Sequence, residues 1–571
     1  MNNLLKKVLE NKYLILIFLI GFFLRFYHLG SMPIATHLDE IMNAYVGKFT
    51  LINGVDLYGN KWPIFYFNNF GDYPNIIPMY LSGLSALLLG NTEFAIRLPI
   101  AIFGSLSIFI VYFLAKLFFK SKKTALFSAL TIAVMPWHIV LSRATAEGVT
   151  AAFAFLVPLY FLLKNRDKKI SIASIVSFLF LIFTYLLYPS YRIIVPLALL
   201  PLSLLTNNKQ KRVFLILITI ISFGLTFYIS QTPAGKGRFD QTSIISSNST
   251  ILPYQSEFIT GEGFDNALKA RILFNKPVMF GREFLRQYSS YFSTNFLFSD
   301  GGMPKRYFVP DQGLWYYSYL GIFVLFIGSL LVVPEKLLKY NKKIVPDKKA
   351  ILLISYLAYL TLISLVPAAL TYEDSPNIHR ASLFPLMLAI WSGLPFIFLS
   401  QFKFKKRSLI TIIFGLFIVL ESLYFWNKYL VHADKYQEIH RNGSSRNLVK
   451  YLTTNKDNYD FIYVDGRNDI PLYYPFFNNI YDKNLTDEFQ IGMRLKQIDN
   501  IKLFDDNCFN DLFGSENIKE INQHNLYIMK TSCIPDSSNL VRNGLELVEQ
   551  DMIFTNTGNK ALTTYTIEEI K

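Results

Sequence analysis

The sequence has little charge for its length and almost no cysteine. Asp, Glu, Lys and Arg make up 17% of the 571 residues, whereas a soluble domain carries about 25%. So few ionisable side chains exclude a cytoplasmic enzyme, a disordered protein and a collagen-like fibre. The two cysteines, Cys508 and Cys533, are too far apart to form a Cys-x-x-Cys zinc or redox site.

The sequence also has no long basic stripe and no basic module interleaved with aromatic residues. Its net charge of +15 therefore does not indicate nucleic acid binding. It is instead rich in apolar side chains, which account for 52% of the residues and include 52 Phe and 35 Tyr. These residues form runs of roughly 15–22 residues separated by short basic clusters, a pattern typical of a polytopic membrane protein.

Eleven apolar runs predict eleven membrane spans, with a cytoplasmic N-terminus and an extracytoplasmic C-terminus. The runs lie near 13–29, 98–119, 124–141, 149–163, 170–187, 191–205, 213–230, 314–334, 350–370, 381–400 and 408–426. The predicted inside loops contain basic clusters, such as that at 120–123, whereas the short outside loops have one arginine each, Arg143, Arg192 and Arg380. Cytoplasmic loops carry such an excess of Lys and Arg, which supports this orientation.

The apolar stretch Pro74–Gly90 is not counted as a span. If it crossed the membrane, every later loop would change sides and five basic clusters would lie outside. Its prolines, Pro74 and Pro78, suit a helix that lies on the surface or re-enters it. Residues 30–97 are therefore expected to form one large external loop that contains an interfacial helix.

The expected organisation is a transmembrane catalytic domain at 1–426 followed by a soluble domain at 427–571. A second long external loop, rich in Gly, Ser and Arg, occupies 231–313. The tail has 16 Lys and Arg against 21 Asp and Glu, and its β-like runs at 460–464 and 525–529 alternate with helical patterns. This mixture predicts a small extracytoplasmic α/β domain.

The sequence His37-Leu38-Asp39-Glu40 follows the first span and is the sharpest candidate for chemistry. Two adjacent carboxylates at the edge of a membrane are costly to desolvate unless they are used or paired. The alternative interpretation is a solvated helix start in which Asp39 is the N-cap.

Two further motifs are predicted to lie on the same face of the membrane. In Ser142-Arg143-Ala144-Thr145-Ala146-Glu147, an Arg–Glu pair in a plain interfacial loop is the alternative to a functional site. In PNIHR at 376–380, Arg380 either grips a phosphate bidentately or anchors a helix at the lipid headgroups. A site for a charged, lipid-borne substrate would need Asp39, Glu147 and Arg380 together.

Several short segments occur in a characteristic order along the chain. They are LDE at 38–40, Tyr73-Pro74, FAIRLP at 94–99, Gly104, SRATAEG at 142–148 and PNIHR at 376–380. In this order the sequence resembles the lipid-linked-sugar-dependent glycosyltransferases of the GT-C fold, particularly the bacterial relatives of protein O-mannosyltransferases and the lipid A aminoarabinose transferase. The resemblance covers residues 13–163 well and 371–400 more loosely.

This resemblance implies a polyprenyl-phosphate sugar donor and an acceptor hydroxyl on a lipid, a glycan or a protein. It implies that Asp39 lies at the catalytic centre with Glu40 beside it, and that Glu147 is a second catalytic acid. Arg380 would help to hold the donor phosphate. The oligosaccharyltransferase signature WWDYG is absent, which argues against transfer of a whole glycan to asparagine.

The chain departs from these relatives at Asp72-Tyr73-Pro74, where many of them have Lys-Pro-Pro. A lysine contact to phosphate is missing there, and Arg97, Arg143 or Arg192 is expected to replace it. Asp72 adds a carboxylate instead. Together with His37 and His379, it is a candidate ligand for the acceptor or a metal ion.

The expected reaction needs cationic partners for the phosphate leaving group and a base for the acceptor hydroxyl. Asp39 is the expected base, and the product would have inverted configuration; direct attack by a carboxylate would give retention instead. Hard oxygen ligands without a Cys/His cluster suit Mg²⁺ or Mn²⁺ better than zinc, so a divalent cation is a possible cofactor.

The competing interpretation is a flippase or transporter for a lipid-linked substrate. Transporters place ionisable residues near the bilayer midplane, on broken helices, whereas Asp39, Glu147 and Arg380 are predicted at one membrane edge. A receptor-like scaffold does not explain eleven spans. The transferase is therefore favoured.

The two cysteines are both predicted to lie outside the cytoplasm, where disulfides persist if the compartment is oxidising. A bridge between Cys508 and Cys533 would enclose 24 residues. The alternative is two unpaired thiols, one or both packed as small apolar side chains.

Overall fold

A computed structural model describes residues 11–67, 73–246, 251–262, 266–332, 348–395, 407–465, 469–487, 496–504, 507–514 and 524–570. These residues divide into two compact units. Unit 1 comprises the described parts of Met1–Tyr27 and Ile100–Ala433, and unit 2 those of His28–Pro99 and Asp434–Lys571.

The described helices are numbered in chain order. Those that begin before residue 205 are α1 Lys12–Phe26, α2 Leu38–Asn53, α3 Ile76–Leu89, α4 Glu93–Phe119, α5 Lys122–Val134, α6 Pro136–Ser142, α7 Glu147–Lys164, α8 Ile172–Phe183 and α9 Tyr191–Leu202. Those up to residue 430 are α10 Lys209–Ser230, α11 Pro233–Thr242, α12 Ile251–Glu262, α13 Ala267–Leu273, α14 Lys276–Ser290, α15 Tyr317–Val332, α16 Lys348–Ile363, α17 Val366–Ala369, α18 Phe384–Trp391 and α19 Arg407–Asn427.

The C-terminal part mixes helices with six strands. Its elements are α20 Ala433–Gln437, α21 Ser445–Asn455, β1 Ile462–Asp465, α22 Ile470–Phe477, β2 Gln497–Ile498, β3 Ile501–Phe504, α23 Asn510–Gly514, β4 Leu526–Lys530, α24 Ser538–Arg542, β5 Leu545–Phe554 and β6 Lys560–Glu569.

Unit 1 consists mainly of apolar helices, and each of the eleven predicted span regions contains at least one of them. Within the described residues, five helical segments are long and apolar enough to cross a membrane, or six if the bent pair α5–α6 is one span. The remaining apolar helices are shorter. The protein is therefore a multi-pass membrane protein, while the count of eleven spans and their orientation stay predictions.

Two features of unit 1 follow directly from its sequence. Pro136 lacks an N–H group and its ring clashes with the preceding turn, so α5 ends before it and α6 starts at it with a bend of 57°. Helix α10 exposes Ile216, Ile220 and Phe227. A face this apolar, on a 22-residue helix, is expected to lie against lipid tails.

Unit 2 combines the described parts of residues 28–99 with those of the C-terminal tail. Helix α3 has 14 residues and is about 21 Å long, which is shorter than the hydrocarbon core of about 30 Å. This length agrees with the interfacial helix expected at Pro74–Gly90. Helices α2 and α3 cross at Gly47 and Gly83, where a Cβ on either glycine would collide with the other helix's backbone.

The strands form one six-stranded sheet in the order β2-β3-β1-β4-β6-β5. Strands β3, β1 and β4 are parallel and the outer pairings are antiparallel. One face buries an apolar cluster that includes Phe509, Tyr527 and Ile567, and Tyr463 stacks on Tyr527. The predicted α/β character of the tail is confirmed.

Cys508 and Cys533 form a disulfide, with their Cα atoms 5.4 Å apart. The predicted bridge is therefore confirmed, and the alternative of two free thiols is wrong. The bridge ties the segment after β3 to the turn that follows β4, beside the apolar cluster, which packs against Cys533.

Candidate active site

The N-terminus of α2 is closed by His37, which fixes the geometry around Asp39. The Asp39 backbone N–H donates to Nδ1 of His37 at 3.1 Å, and the His37 backbone N–H donates to Oε2 of Glu40 at 3.2 Å. This reciprocal pair is a capping box. The N-cap is therefore His37, and the alternative interpretation of Asp39 as N-cap is wrong.

The Asp39 carboxylate is consequently not used as a cap. Its side chain is 45% exposed, and its Oδ2 lies 3.4 Å from Nδ1 of His37. Because that nitrogen already accepts the Asp39 N–H, a neutral His37 cannot also donate from it to the carboxylate. Asp39 thus presents a solvent-accessible carboxylate on a rigid helix start, which suits a general base.

Glu40 lies in an ion cluster in unit 2. Its side chain is buried, with Oε2 2.9 Å from Nη2 of Arg441 and 3.4 Å from Nη2 of Arg97. Burial alone would raise its carboxyl pKa, but the two guanidinium groups outweigh that effect and lower it to about 2. Glu40 is therefore ionised and paired.

The two arginines of this cluster also bind the backbone that leads into α2. Arg97 donates to the carbonyl oxygen of Leu29 at 3.1 Å, and Arg441 donates to that of Ile34 at 3.0 Å. Nη2 of each arginine also donates a hydrogen bond to the carbonyl oxygen of Ala35. This geometry favours a positioning role for Glu40 and Arg97, while the catalytic and phosphate-binding roles expected from the sequence stay predictions.

Arg143 is also buried, in unit 1. Its Nε donates to the hydroxyl of Tyr429 at 3.3 Å and its Nη1 to the carbonyl oxygen of Leu24 at 3.0 Å. The guanidinium also lies over the ring of Trp426, 5.6 Å from its centroid. These contacts favour a role in helix packing over contact with a donor phosphate.

Glu147 and His379 meet in unit 1. Oε2 of Glu147 lies 3.2 Å from Nε2 of His379, and the N–H of Gly148 donates to the same nitrogen at 3.1 Å. A ring nitrogen with one lone pair cannot accept from Gly148 and also donate to Glu147. Nε2 of His379 therefore either accepts from Gly148 or, in the tautomer that carries the ring proton on Nε2, donates to Glu147.

His379 belongs to the PNIHR turn, which fixes Arg380. Oδ1 of Asn377 accepts the backbone N–H groups of both His379 and Arg380, at 3.0 and 2.8 Å. The ring of Tyr188 packs against His379 with centroids 4.7 Å apart. Burial raises the pKa of the Tyr188 hydroxyl, an effect that Arg380 and Arg238 partly oppose.

Arg380 lines a cavity of about 290 Å³ in unit 1, together with Arg192 and Arg238. None of the described residues that line it is acidic. Its walls are otherwise mostly apolar; they include Ile193, Ile229, Phe239, Ile245, Pro367 and Leu370. Three guanidinium groups inside apolar walls fit an anionic head joined to an apolar chain.

The three arginines are held from different elements. Nη1 of Arg380 donates to the carbonyl oxygen of Glu373 at 2.7 Å, and Nε of Arg192 donates to that of Tyr185 at 3.3 Å. Arg238, on α11, is close enough to Arg192 for the two charges to repel. A bound anion would relieve this repulsion.

Sequence reasoning missed Arg238 and Arg441. The signal for Arg238 was present in the arginine-rich composition of the 231–313 loop. No local signal identifies Arg441, because its partner Glu40 is 401 residues away in the chain.

The described residues offer no complete metal site next to Glu147 and His379. One group of three potential ligands occurs among them, namely Asp465, Cys508 and Cys533, but both sulfurs are in the disulfide. Asp72, which the sequence suggests as a ligand, lies outside the described residues. The divalent cation expected from the sequence therefore stays a prediction.

Comparison with known proteins bears on the family and the fold. Residues 72–231 match a family model, PMT_2, described as dolichyl-phosphate-mannose-protein mannosyltransferase. No curated protein sequence matches the chain. The fold is similar to that of ArnT from Cupriavidus metallidurans bound to undecaprenyl phosphate, with a TM-score of 0.52 and 12% identity over 97% of this chain and 98% of that one.

Two structures of an archaeal oligosaccharyltransferase from Archaeoglobus fulgidus are also similar. One, AglB with an inhibitory peptide and a dolichol-phosphate, has a TM-score of 0.45 and 13% identity over 83% of this chain and 64% of that one. The other, in complex with Zn and sulfate, has a TM-score of 0.43 and 12% identity over 82% and 61%. In these two comparisons the chain spans less than two thirds of the archaeal enzyme's length.

The family match and the ArnT-like fold confirm the predicted resemblance to the GT-C glycosyltransferases that use polyprenyl-phosphate sugars. The predicted enzyme class is confirmed with it. The roles of individual residues stay predictions.

Proposed function

We propose that this GT-C glycosyltransferase moves a sugar from its polyprenyl-phosphate donor to an acceptor hydroxyl on the extracytoplasmic face of the membrane. The C-terminus lies on that same face. Transfer inverts the configuration at the anomeric carbon, because the acceptor oxygen attacks directly as the phosphate leaves.

The cavity with three arginines carries this proposal. A polyprenyl phosphate gains negative charge on its leaving oxygen during transfer, and fixed cations stabilise that charge most in a site with little water. Arg192, Arg238 and Arg380 provide three such cations, and the apolar walls suit the first units of the prenyl chain. Glu147 and His379 hold the turn that presents Arg380.

Asp39 is the proposed general base. Its carboxylate takes the proton of the acceptor hydroxyl as the hydroxyl attacks, which requires an accessible and fixed oxygen. The capping box around His37 and the buried Glu40 cluster hold the backbone of the helix start, while the Asp39 side chain stays accessible. Glu40 and Arg97 act as positioning residues in this scheme.

A donor assay tests the proposal. Full-length protein in detergent is incubated with labelled polyprenyl-phosphate sugars, and release of the polyprenyl phosphate is measured. We expect Arg380→Ala and Arg238→Ala each to raise the donor KM by about tenfold, since a charge-assisted contact contributes roughly 1.5–3 kcal/mol.

Arg271→Ala is the matched control. Arg271 is exposed and lies, like Arg238, in the region 231–313, but it does not line the cavity. Its donor KM should equal that of the wild type. Unchanged donor KM values in both cavity variants would remove the cavity from donor binding, and turnover of none of the donors would reject the proposed function.

A further inference from the structure

A second cleft, in unit 2, has no role in the reaction as described so far. It has a volume of about 940 Å³ and is lined in part by α20 and by the adjoining ends of β4 and β6. Lys435, Lys530 and Lys560 line it. Among the described residues, none of these three lysines has a side-chain hydrogen bond or ion pair.

The cleft also contains two carboxylates, but both are engaged by neighbouring groups. Glu438 accepts the backbone N–H of Thr557 at 2.8 Å and also the Thr557 hydroxyl. Asp469 accepts the hydroxyl of Ser445. Within the described residues, neither carboxylate forms an ion pair with a lysine of the cleft.

Three lysines and two carboxylates among its described residues give the cleft a net charge of +1, opposite in sign to that of the tail around it. Residues 427–571 contain 21 acidic and 16 basic side chains, so a random patch of this domain would be neutral or acidic. Three lysines without acidic partners repel one another unless an anion lies between them. The cleft is therefore suited to a ligand with more than one negative charge.

We propose that this lysine cleft binds a phosphate-bearing part of the acceptor, an inference that rests on the proposed function. Lysine binds phosphate as a point charge. A ligand with a single carboxylate would need only one of the three lysines, so a phosphate-bearing ligand fits them better. Leu38 also lines the cleft, so the cleft extends to the first turn of the helix that carries Asp39. An acceptor anchored there by phosphate would have its hydroxyl end near the proposed base.

The test compares two triple variants of the full-length protein with equal change in charge. The cleft variant is Lys435→Gln with Lys530→Gln and Lys560→Gln. The control is Lys450→Gln with Lys483→Gln and Lys496→Gln, three exposed lysines of the same tail that do not line the cleft. The probes are a soluble glycerol-phosphate oligomer and phosphatidylglycerol vesicles, with phosphatidylcholine vesicles as the uncharged reference.

We expect the cleft variant to bind the better of the two anionic probes roughly tenfold more weakly, as three partly exposed ion pairs would give, and the control to bind like the wild type. Preference for the oligomer or for the vesicles identifies a soluble or a lipid source of the phosphate. Equal losses in both triple variants, or no loss in the cleft variant, would overturn the inference.

Donor turnover separates this inference from the proposed function. In the absence of acceptor, water can take the sugar from the donor, and polyprenyl phosphate is released. The rate of this hydrolysis should be the same in the cleft variant and the wild type, because the three lysines do not line the cavity proposed for the donor. Failure of the wild type to use any donor would reject the proposed function, whereas the binding comparison decides the role of the cleft by itself.

Discussion

The Glu40 cluster gives the sharpest test of how the site is held. In Glu40→Gln the side chain keeps its size but loses its charge, which leaves Arg97 and Arg441 buried without an anion. Lowering the Glu40 pKa from 4.5 to about 2 corresponds to about 3 kcal/mol, at about 1.4 kcal/mol per pKa unit. Breaking a buried ion pair costs roughly 3–5 kcal/mol, so we expect unit 2 to lose about 3 kcal/mol of stability.

The same cluster predicts how the stability of unit 2 falls at acidic pH. Because the pKa of Glu40 is lower in the folded protein than in the unfolded chain, its stabilisation is complete above about pH 4.5 and is lost as the pH falls toward 2. The wild type should therefore lose stability across this window. Glu40→Gln should lack that part of the decline, because glutamine does not titrate.

Hydrogen exchange of backbone amides in α2 measures the local stability of unit 2 in the full-length protein. The matched control is Glu93→Gln, since Glu93 is 3.6 Å from Arg446 with both side chains partly exposed; it should cost no more than about 1 kcal/mol. The positioning role would be refuted if the stability of unit 2 in Glu40→Gln were within about 0.5 kcal/mol of the wild type. It would also be refuted if the variant lost as much stability at acidic pH as the wild type does.

Three further predictions follow from the structure and the proposed function. Asp39→Asn should abolish transfer with little change in stability, because its carboxylate is accessible and is not the helix cap; near wild-type turnover would remove Asp39 from the mechanism. Cys508→Ser should lower the stability of the tail by about 3 kcal/mol in the chain-entropy model, for a sequence separation of 25, and denatured, unreduced wild-type protein should show no titratable thiol. A reporter fused after Lys571 should be active outside the cytoplasm; cytoplasmic activity would mean that one span has been miscounted, with Pro74–Gly90 the first to re-examine.

The parts of the fold that local rules govern were predictable. A long apolar run in lipid must satisfy its backbone groups internally, so each run forms helix. Short alternating runs in a polar tail likewise predicted the strands now found at Ile462–Asp465 and Leu526–Lys530. The bridge between Cys508 and Cys533 was predictable only as an option, because geometry rather than spacing decides it.

The capping of α2 shows where a local rule gave the wrong answer. Aspartate is a preferred N-cap and histidine is not, yet His37 occupies that position. Its imidazole nitrogen accepts the same kind of backbone hydrogen bond, and Glu40 completes the box from N3 while also pairing with Arg441. The ion pair between Glu40 and Arg441 thus stabilises the same capping box that His37 begins.

The three arginines that line the cavity in unit 1 could not be brought together from the sequence. Arg192, Arg238 and Arg380 lie on three separate segments, and each has an ordinary explanation as a residue at a membrane edge. Their shared cavity depends on helix packing in unit 1, which is set by the shapes of many apolar side chains. A single sequence does not show which of these apolar side chains pack against one another.

The hydrogen bonds within unit 2 determine how the tail relates to the proposed base. The hydroxyl of Tyr473 donates to the carbonyl oxygen of Thr36, three residues before Asp39, and Arg441 donates to that of Ile34. Farther along α2, the hydroxyl of Tyr45 donates to the carbonyl oxygen of Ile480 at 3.2 Å. The backbone before Asp39 and the Tyr45 side chain after it are thus held by residues more than 400 positions later in the chain. In the proposed reaction the tail is therefore part of the structure that orients the general base, since a carboxylate base must be fixed within hydrogen-bond reach of its proton.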